Sequence, residues 1–202
     1  MKNTREKIIC AAVSVWNEDY SAPLKYIARE AGISRMTLHR HFCGRDAILQ
    51  AIGDDFVDRV VQVLDEAQQE TVPPIAQMQS VLKKTHRLGE DYNFLFDLFE
   101  QKGCPEALIE RFRVFEERFA AFFDTLMAQG VVKPGVNAKW ANALLEGLMK
   151  SAFRMRQKGW NAALDMEALV WDSYQSAIFI QPTRIQPTEI QPTTGASHSA
   201  EV

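Results

Sequence analysis

From Ile8 to Ile178 the apolar side chains recur three and four residues apart. No run of β-branched residues alternates with polar ones, so the pattern specifies helices and leaves nothing for a sheet. Ile8, Ala11, Ala12, Val15 and Trp16 share one face behind Thr4, which has the chemistry of an N-cap. A short helix is predicted from Pro23, a residue suited to a first helical position, to Gly32, and another from the cap Ser34 to about Phe42. After Cys43-Gly44 a long helix is predicted over Arg45 to about Glu70, and Pro73-Pro74 opens a further one to about Leu88. Shorter apolar text over 92–101 ends at Gly103-Cys104-Pro105, followed by helices over 106–129, 137–158 and 166–180. The expectation is an all-α chain of about nine helices.

Composition narrows the class. The 202 residues are 47% hydrophobic and 24% charged, ordinary globular values with ample material for a core. The formal net charge of -3 hides a polarity: residues 1–50 carry a surplus of three positive charges, the remainder a surplus of six negative ones. That asymmetry points to a nucleic-acid end and a second part with another task. The opening MKNTREK leads into no signal-peptide core, and no stretch approaches the ~18 apolar residues that cross a bilayer, so no membrane partner is expected. Cys10, Cys43 and Cys104 are odd in number and have no CxxC spacing, which favours a reducing cytoplasm over disulfides or zinc.

The segment Pro23–Phe42, PLKYIAREAGISRMTLHRHF, carries the chemistry. Leu24, Ile27, Ala28 and Ala31 form one face, Gly32 allows a tight turn, Ile33 plugs the corner, and Leu38 and Phe42 point inward from the next helix. Two short helices about a glycine turn, with small residues where they approach, make a helix-turn-helix. Such a second helix fits a DNA major groove. Arg35 and Arg40 offer planar forks to guanine or phosphate, Met36 an apolar contact to a thymine methyl, and Thr37 and His39 donors to phosphate oxygens. Ser34 belongs to the same helix start, and Arg5, Lys25 and Arg45 are placed to clamp the backbone from neighbouring helices.

Residues 4–50 resemble the DNA-binding domain of the TetR family of bacterial transcriptional regulators. The matching text is TREKIICAAVSVW, LKYIAREAGISRMTLHRHF and GRDAILQAI. Its specific string is Ile27-Ala28, Ala31-Gly32-Ile33-Ser34, Thr37-Leu38, His41-Phe42 and Arg45-Asp46. Three positions depart from the family pattern. His39 stands where a tyrosine is usual, Met36 where a small residue is common, and Ala22-Pro23 where a Thr or Ser often caps the second helix. The resemblance implies a three-helix DNA-binding domain at 1–50 and a helical effector-binding and dimerisation domain at 51–180. It further implies a homodimer on double-stranded palindromic operator DNA, released by a small-molecule effector.

Within 51–180, Leu108, Phe112, Phe115, Phe119, Phe122, Phe123 and Leu126 share one broad face, with Phe94, Phe96 and Phe99 just before it. Helical packing explains such a face by default; a pocket for an apolar or aromatic ligand is the sharper reading. The pocket candidates are Met78, Leu82, His86, Phe99, Phe115, Phe119, Leu144 and Phe153, and Asp97 and Glu100 beside them would suit a cationic ligand. The last two helices are apolar around more than one face, more than a surface helix needs. Trp140, Leu145, Leu148, Ala152, Val170, Trp171, Tyr174 and Ile178 are therefore expected in a two-fold four-helix interface. No HExxH, GxSxG, GxxxxGK[ST] or ExxH pattern occurs, so no catalytic residue, metal site or cofactor is expected. The stretch 181–202 continues the IQPTR-IQPTE-IQPTT repeat, whose regular prolines forbid a helix and predict a disordered tail. Two rivals remain: a helical small-molecule-binding protein without DNA binding, and a DNA-binding regulator controlled by a protein partner through that tail.

Overall fold

The computed structural model describes residues 3–98, 105–160 and 165–180, with the side chains of all but 96 and 97. The tail 181–202, Phe99 and Glu100 lie outside the described residues, as does the Asp97 side chain. Among the described residues the chain forms nine helices: α1 (Thr4–Glu18), α2 (Leu24–Glu30), α3 (Arg35–His41), α4 (Arg45–Gln69), α5 (Pro74–Asp91), α6 (Asn93–Leu98), α7 (Glu106–Ala128), α8 (Ala138–Gln157) and α9 (Met166–Ile178). The all-α expectation holds, and the helix ends fall within a few residues of where the punctuation put them. Capping decides the differences. Asn3, not Thr4, caps α1: its side chain accepts from the Glu6 N–H while Glu6 reaches back to the Asn3 N–H, a reciprocal pair that starts the helix one residue earlier.

Two hydrophobic cores share α4 as their common wall. The first joins the inward faces of α1, α2 and α3 to Ile48, Ile52, Phe56 and Val60 of α4, and continues without a break to Tyr92, Phe94, Leu95 and Leu98 around α6 and Leu108 of α7. The second packs Val63, Leu64 and Ala67 of α4 against α5, the distal half of α7, α8 and α9, with Phe119, Phe122 and Phe123 at its centre. Close approach of α4 and α7 depends on Gly53, where a Cβ would lie 1.9 Å from the buried Leu108 Cδ1. Ion pairs follow this seam, with Arg111 on Asp54 and Asp58 and Arg118 on Asp65. Being exposed, they fix register more than they stabilise.

One feature has no counterpart in the periodicity. Ile180 N–H donates to Val131 O (2.9 Å) and Lys133 N–H to Ile178 O (2.9 Å), so the residues after α9 lie against the α7–α8 loop in an isolated antiparallel bridge. Among the described residues no helix is long and apolar enough to cross a membrane.

Candidate functional site

The turn between α2 and α3 is built as its residues require. Gly32 has φ +66°, a left-handed conformation that side-chain-bearing residues avoid, and the Ile33 N–H then closes on Ala28 O at 3.0 Å. Ser34 caps α3: its Oγ accepts from the Thr37 N–H at 3.0 Å and lies 2.9 Å from the Thr37 hydroxyl. Ile27, Ala28 and Leu38 are buried beneath this turn. With the inner face locked, Arg35, Met36, His39 and Arg40 all project from the opposite face of α3, and Met36 is 80% exposed. Neither Arg35 nor Arg40 has an ion-pair or hydrogen-bond partner among the described residues. Arg5 and Lys25 are exposed nearby, the first stacked over the Phe42 ring at 4.9 Å and the second over Tyr26 at 5.0 Å.

Arg45, expected as a backbone clamp, is turned into the protein. Its guanidinium lies 4.4 Å from the Trp16 ring centroid and 4.3 Å from that of Tyr20, and it donates to the carbonyls of Ala22 and Tyr20. A fork engaged on two backbone oxygens between two rings is a strut tying the start of α4 to the end of α1. The same rings meet α6: Tyr20 stacks on Phe94 at 5.8 Å, and Trp16 meets it edge-on at 6.0 Å. Asn17 completes the junction by donating to Asp91 O.

Between α4, α5, α7 and α8 lies a cavity of about 530 Å³, within the range of small-molecule sites. Its apolar wall includes Phe56, Val60, Ile109, Phe112, Phe115 and Met149, and Phe56 and Phe112 stack at 5.7 Å. Its polar wall includes Thr85, Glu116, Asn142 and Glu146. Asn142 Nδ2 donates to Glu146 Oε1 at 2.7 Å, while Asn142 Oδ1 and Thr85 Oγ1 are buried without a partner. Glu146 keeps solvent access, yet burial of its carboxyl among these walls raises its pKa; the Asn142 hydrogen bond opposes this and Glu116 adds to it.

Of the expected pocket residues, Phe115 lines this cavity. Met78, Phe119 and Phe153 are core residues instead, because α5, α7 and α8 turn those positions toward one another. Leu82 borders a separate polar cleft between α5 and α9, and Leu144 is only half-buried outside the cavity. His86 is buried against Phe153 at 5.4 Å with Nε2 unpartnered; burial lowers its pKa against the opposing pull of Glu90 and Glu167. Phe56 and the Asn142–Glu146 pair were not among the candidates. The signal for the pair was present as a polar i, i+4 couple inside the α8 pattern.

The interface candidates also divide. Leu145, Ala152, Val170, Trp171, Tyr174 and Ile178 are buried within the single chain, since α8 and α9 spend those faces on each other and on α5. Trp140 is 57% exposed and Leu148 half-buried. With Leu144 they make a stripe at four-residue spacing on α8, and Leu169 of α9 is 45% exposed. Gly147, with open space beyond its Cα, lies along the same helix.

No family model matches the chain. It is 25% identical over 158 residues to the HTH-type transcriptional repressor LfrR of Mycolicibacterium smegmatis, covering 78% of this chain and 82% of that protein. It is 27% identical over 174 residues to the HTH-type transcriptional regulator NfxB of Pseudomonas aeruginosa, covering 81% and 90%. Among solved structures, the TetR-like regulator LfrR in complex with proflavine superposes with a TM-score of 0.66 at 22% identity, over 90% of this chain and all of that one. The regulator FadR of Bacillus subtilis in complex with stearoyl-CoA gives 0.68 at 17%, over 85% and 95%. The fatty acid degradation regulator FadR of Bacillus halodurans gives 0.71 at 16%, over 87% and 94%.

Proposed function

We propose that this chain, a TetR-like regulator in fold and in its helix-turn-helix sequence, is a ligand-responsive transcriptional repressor acting as a cytoplasmic homodimer. Residues 1–50 read DNA and residues 51–180 bind the effector and the partner subunit. The observation that carries this reading is the outer face of α3, where Arg35, Met36, His39 and Arg40 project together and neither arginine is paired among the described residues. A desolvated apolar face would be sealed; an unpaired cationic one suits phosphate and base edges.

Two copies joined through the exposed stripe of α8 and α9 would set two α3 helices into successive major grooves, about one helical turn apart on a palindromic site. Repression is supported by the name of the LfrR relative, and ligand control by the bound molecules of LfrR and FadR. Because a dye and an acyl-CoA differ so much, those complexes do not choose a ligand for this chain. The cavity between α4 and α8 is the effector site, and α4 is the lever: Phe56 lines the cavity and also belongs to the core under α1–α3. To move operator occupancy from 99% to 1%, an effector must prefer the released state by about 5.5 kcal/mol.

Selection of bound fragments from genomic or random DNA tests the reading. It predicts an enriched palindrome whose half-sites are one helical turn apart, bound by two chains. Absence of any enrichment over input DNA, for protein refolded free of ligand, would sink it.

A further inference from the structure

The walls of the α4–α8 cavity are unequal in a way that specifies a ligand. One side is a shelf of aromatic and aliphatic groups, with the stacked pair Phe56 and Phe112 at its centre and Phe115 beside them. The same lining holds three polar groups short of partners: an amide oxygen, a hydroxyl and a carboxylate. Asn142 is 8% exposed and Thr85 also 8%, and Asn142 Oδ1 and Thr85 Oγ1 have no hydrogen-bond partner. A buried acceptor left unpaired costs about 1–3 kcal/mol, so such groups normally imply a missing donor. The third is the Glu146 carboxylate, which takes one hydrogen bond, from Asn142, and faces Glu116.

Cations do reach this wall, but not these carboxylates. Arg113 is engaged with Glu110 and lies 4.0 Å from Glu117, and Lys150 contributes to the lining. Among the described residues no cation lies within ion-pair distance of Glu146 or Glu116. The lining therefore combines two carboxylates with no counter-ion among the described residues, a buried amide oxygen and a buried hydroxyl without a hydrogen-bond partner, and a cluster of aromatic rings.

We propose that the cavity binds a planar aromatic cation, with its rings on Phe56, Phe112 and Phe115, its positive charge against Glu146, and an N–H donor on Asn142 Oδ1. The ligand supplies the counter-ion and the donor that no described residue provides. An N–H cation facing a carboxylate makes the stronger class of hydrogen bond, and the aromatic walls attract the cation as well. This assignment rests on the reading of the cavity as the effector site, but its chemistry is independent of whether α3 binds DNA.

The test is fluorescence titration of the full chain, free of DNA, with three probes of one shape: 9-aminoacridine as the cation, acridine as the neutral form at mildly alkaline pH, and acridine-9-carboxylate as the anion. The expected order is cation, neutral, anion, with the cation about tenfold or more tighter than acridine. Glu146→Gln, which keeps shape and removes charge, is expected to cut that preference severalfold, leaving the part due to the N–H on Asn142, while acridine affinity stays within about twofold, so acridine reports that the variant is folded. Equal affinity for all three probes, tighter binding of the carboxylate through Lys150, binding of none, or an undiminished preference in Glu146→Gln would each overturn the proposal. Failure of operator selection with the cation preference intact would sink the regulator reading alone.

Discussion

The two ends of the molecule treat polar groups in opposite ways. On α3 the charged side chains are exposed, and neither Arg35 nor Arg40 has a partner among the described residues, the cationic face that the proposed reading gives to DNA. In the α4–α8 cavity the unpartnered groups are the buried Asn142 Oδ1 and Thr85 Oγ1, beside two carboxylates, the face that the proposed reading gives to a small ligand. On the proposed reading, this contrast separates the two kinds of partner. What joins the two ends is not a linker. The core beneath α3 runs through α4 to Phe56, which is also a wall of the cavity.

The strongest way to break this comparison is to remove the joint. Trp16 is buried against Tyr20, Phe94 and Arg45, and Trp16→Ala is expected to cost about 3–5 kcal/mol, read by chemical denaturation. If the head were an independent unit, the second core would melt unchanged; a shared core predicts one cooperative transition at lower denaturant. Gly53→Ala acts on the α4–α7 seam and should cost about 1–3 kcal/mol, because the buried Leu108 must yield to the new methyl. Leu108→Ala in the same chain should recover part of that loss, and simple additivity in a double-mutant cycle would contradict the contact.

Arg40→Ala sharpens the contrast from the other side. It should leave the melting temperature unchanged yet weaken operator binding by about 1–3 kcal/mol, with relaxed preference at one base pair if the side chain reads guanine. A change in stability with DNA affinity untouched would assign Arg40 to the fold instead.

The smallest effect concerns His86. Burial holds its pKa below the ordinary imidazole value of about 6.5, so it contributes stability above that pH and the contribution is lost as pH falls toward its lower folded value. Denaturation midpoints should therefore decline more steeply below pH 6.5 in the parent than in His86→Gln, which cannot titrate; equal slopes would remove His86 as a cause.

Much of the fold was legible because its signals are local. Ser34 followed by Thr37, Gly32 at a left-handed turn, and Ile27, Ala28 and Leu38 at helical spacing fix the helix-turn-helix within twenty residues. The cavity was not legible in the same way, because its walls come from four helices and depend on how those helices rotate about one another. The phenylalanines of α7 illustrate this: Phe112 and Phe115 line the cavity while Phe119, Phe122 and Phe123 fill a core, although all five lie on one broad face. The packing around Arg45 was not legible for the same reason. Its position after the recognition helix suggests phosphate, but only the meeting of Trp16, Tyr20 and Ala22 around it shows that its guanidinium also ties α4 to the end of α1.

The most direct measurement is the affinity of the full chain for its selected DNA fragment across a salt series. Several phosphate contacts from a paired basic face predict a fall of about a thousandfold or more between roughly 50 and 200 mM salt, with the selected fragment always bound more tightly than a scrambled one. Binding that is indifferent to salt, or equal on the scrambled fragment, would contradict the assignment of the α3 face to operator DNA.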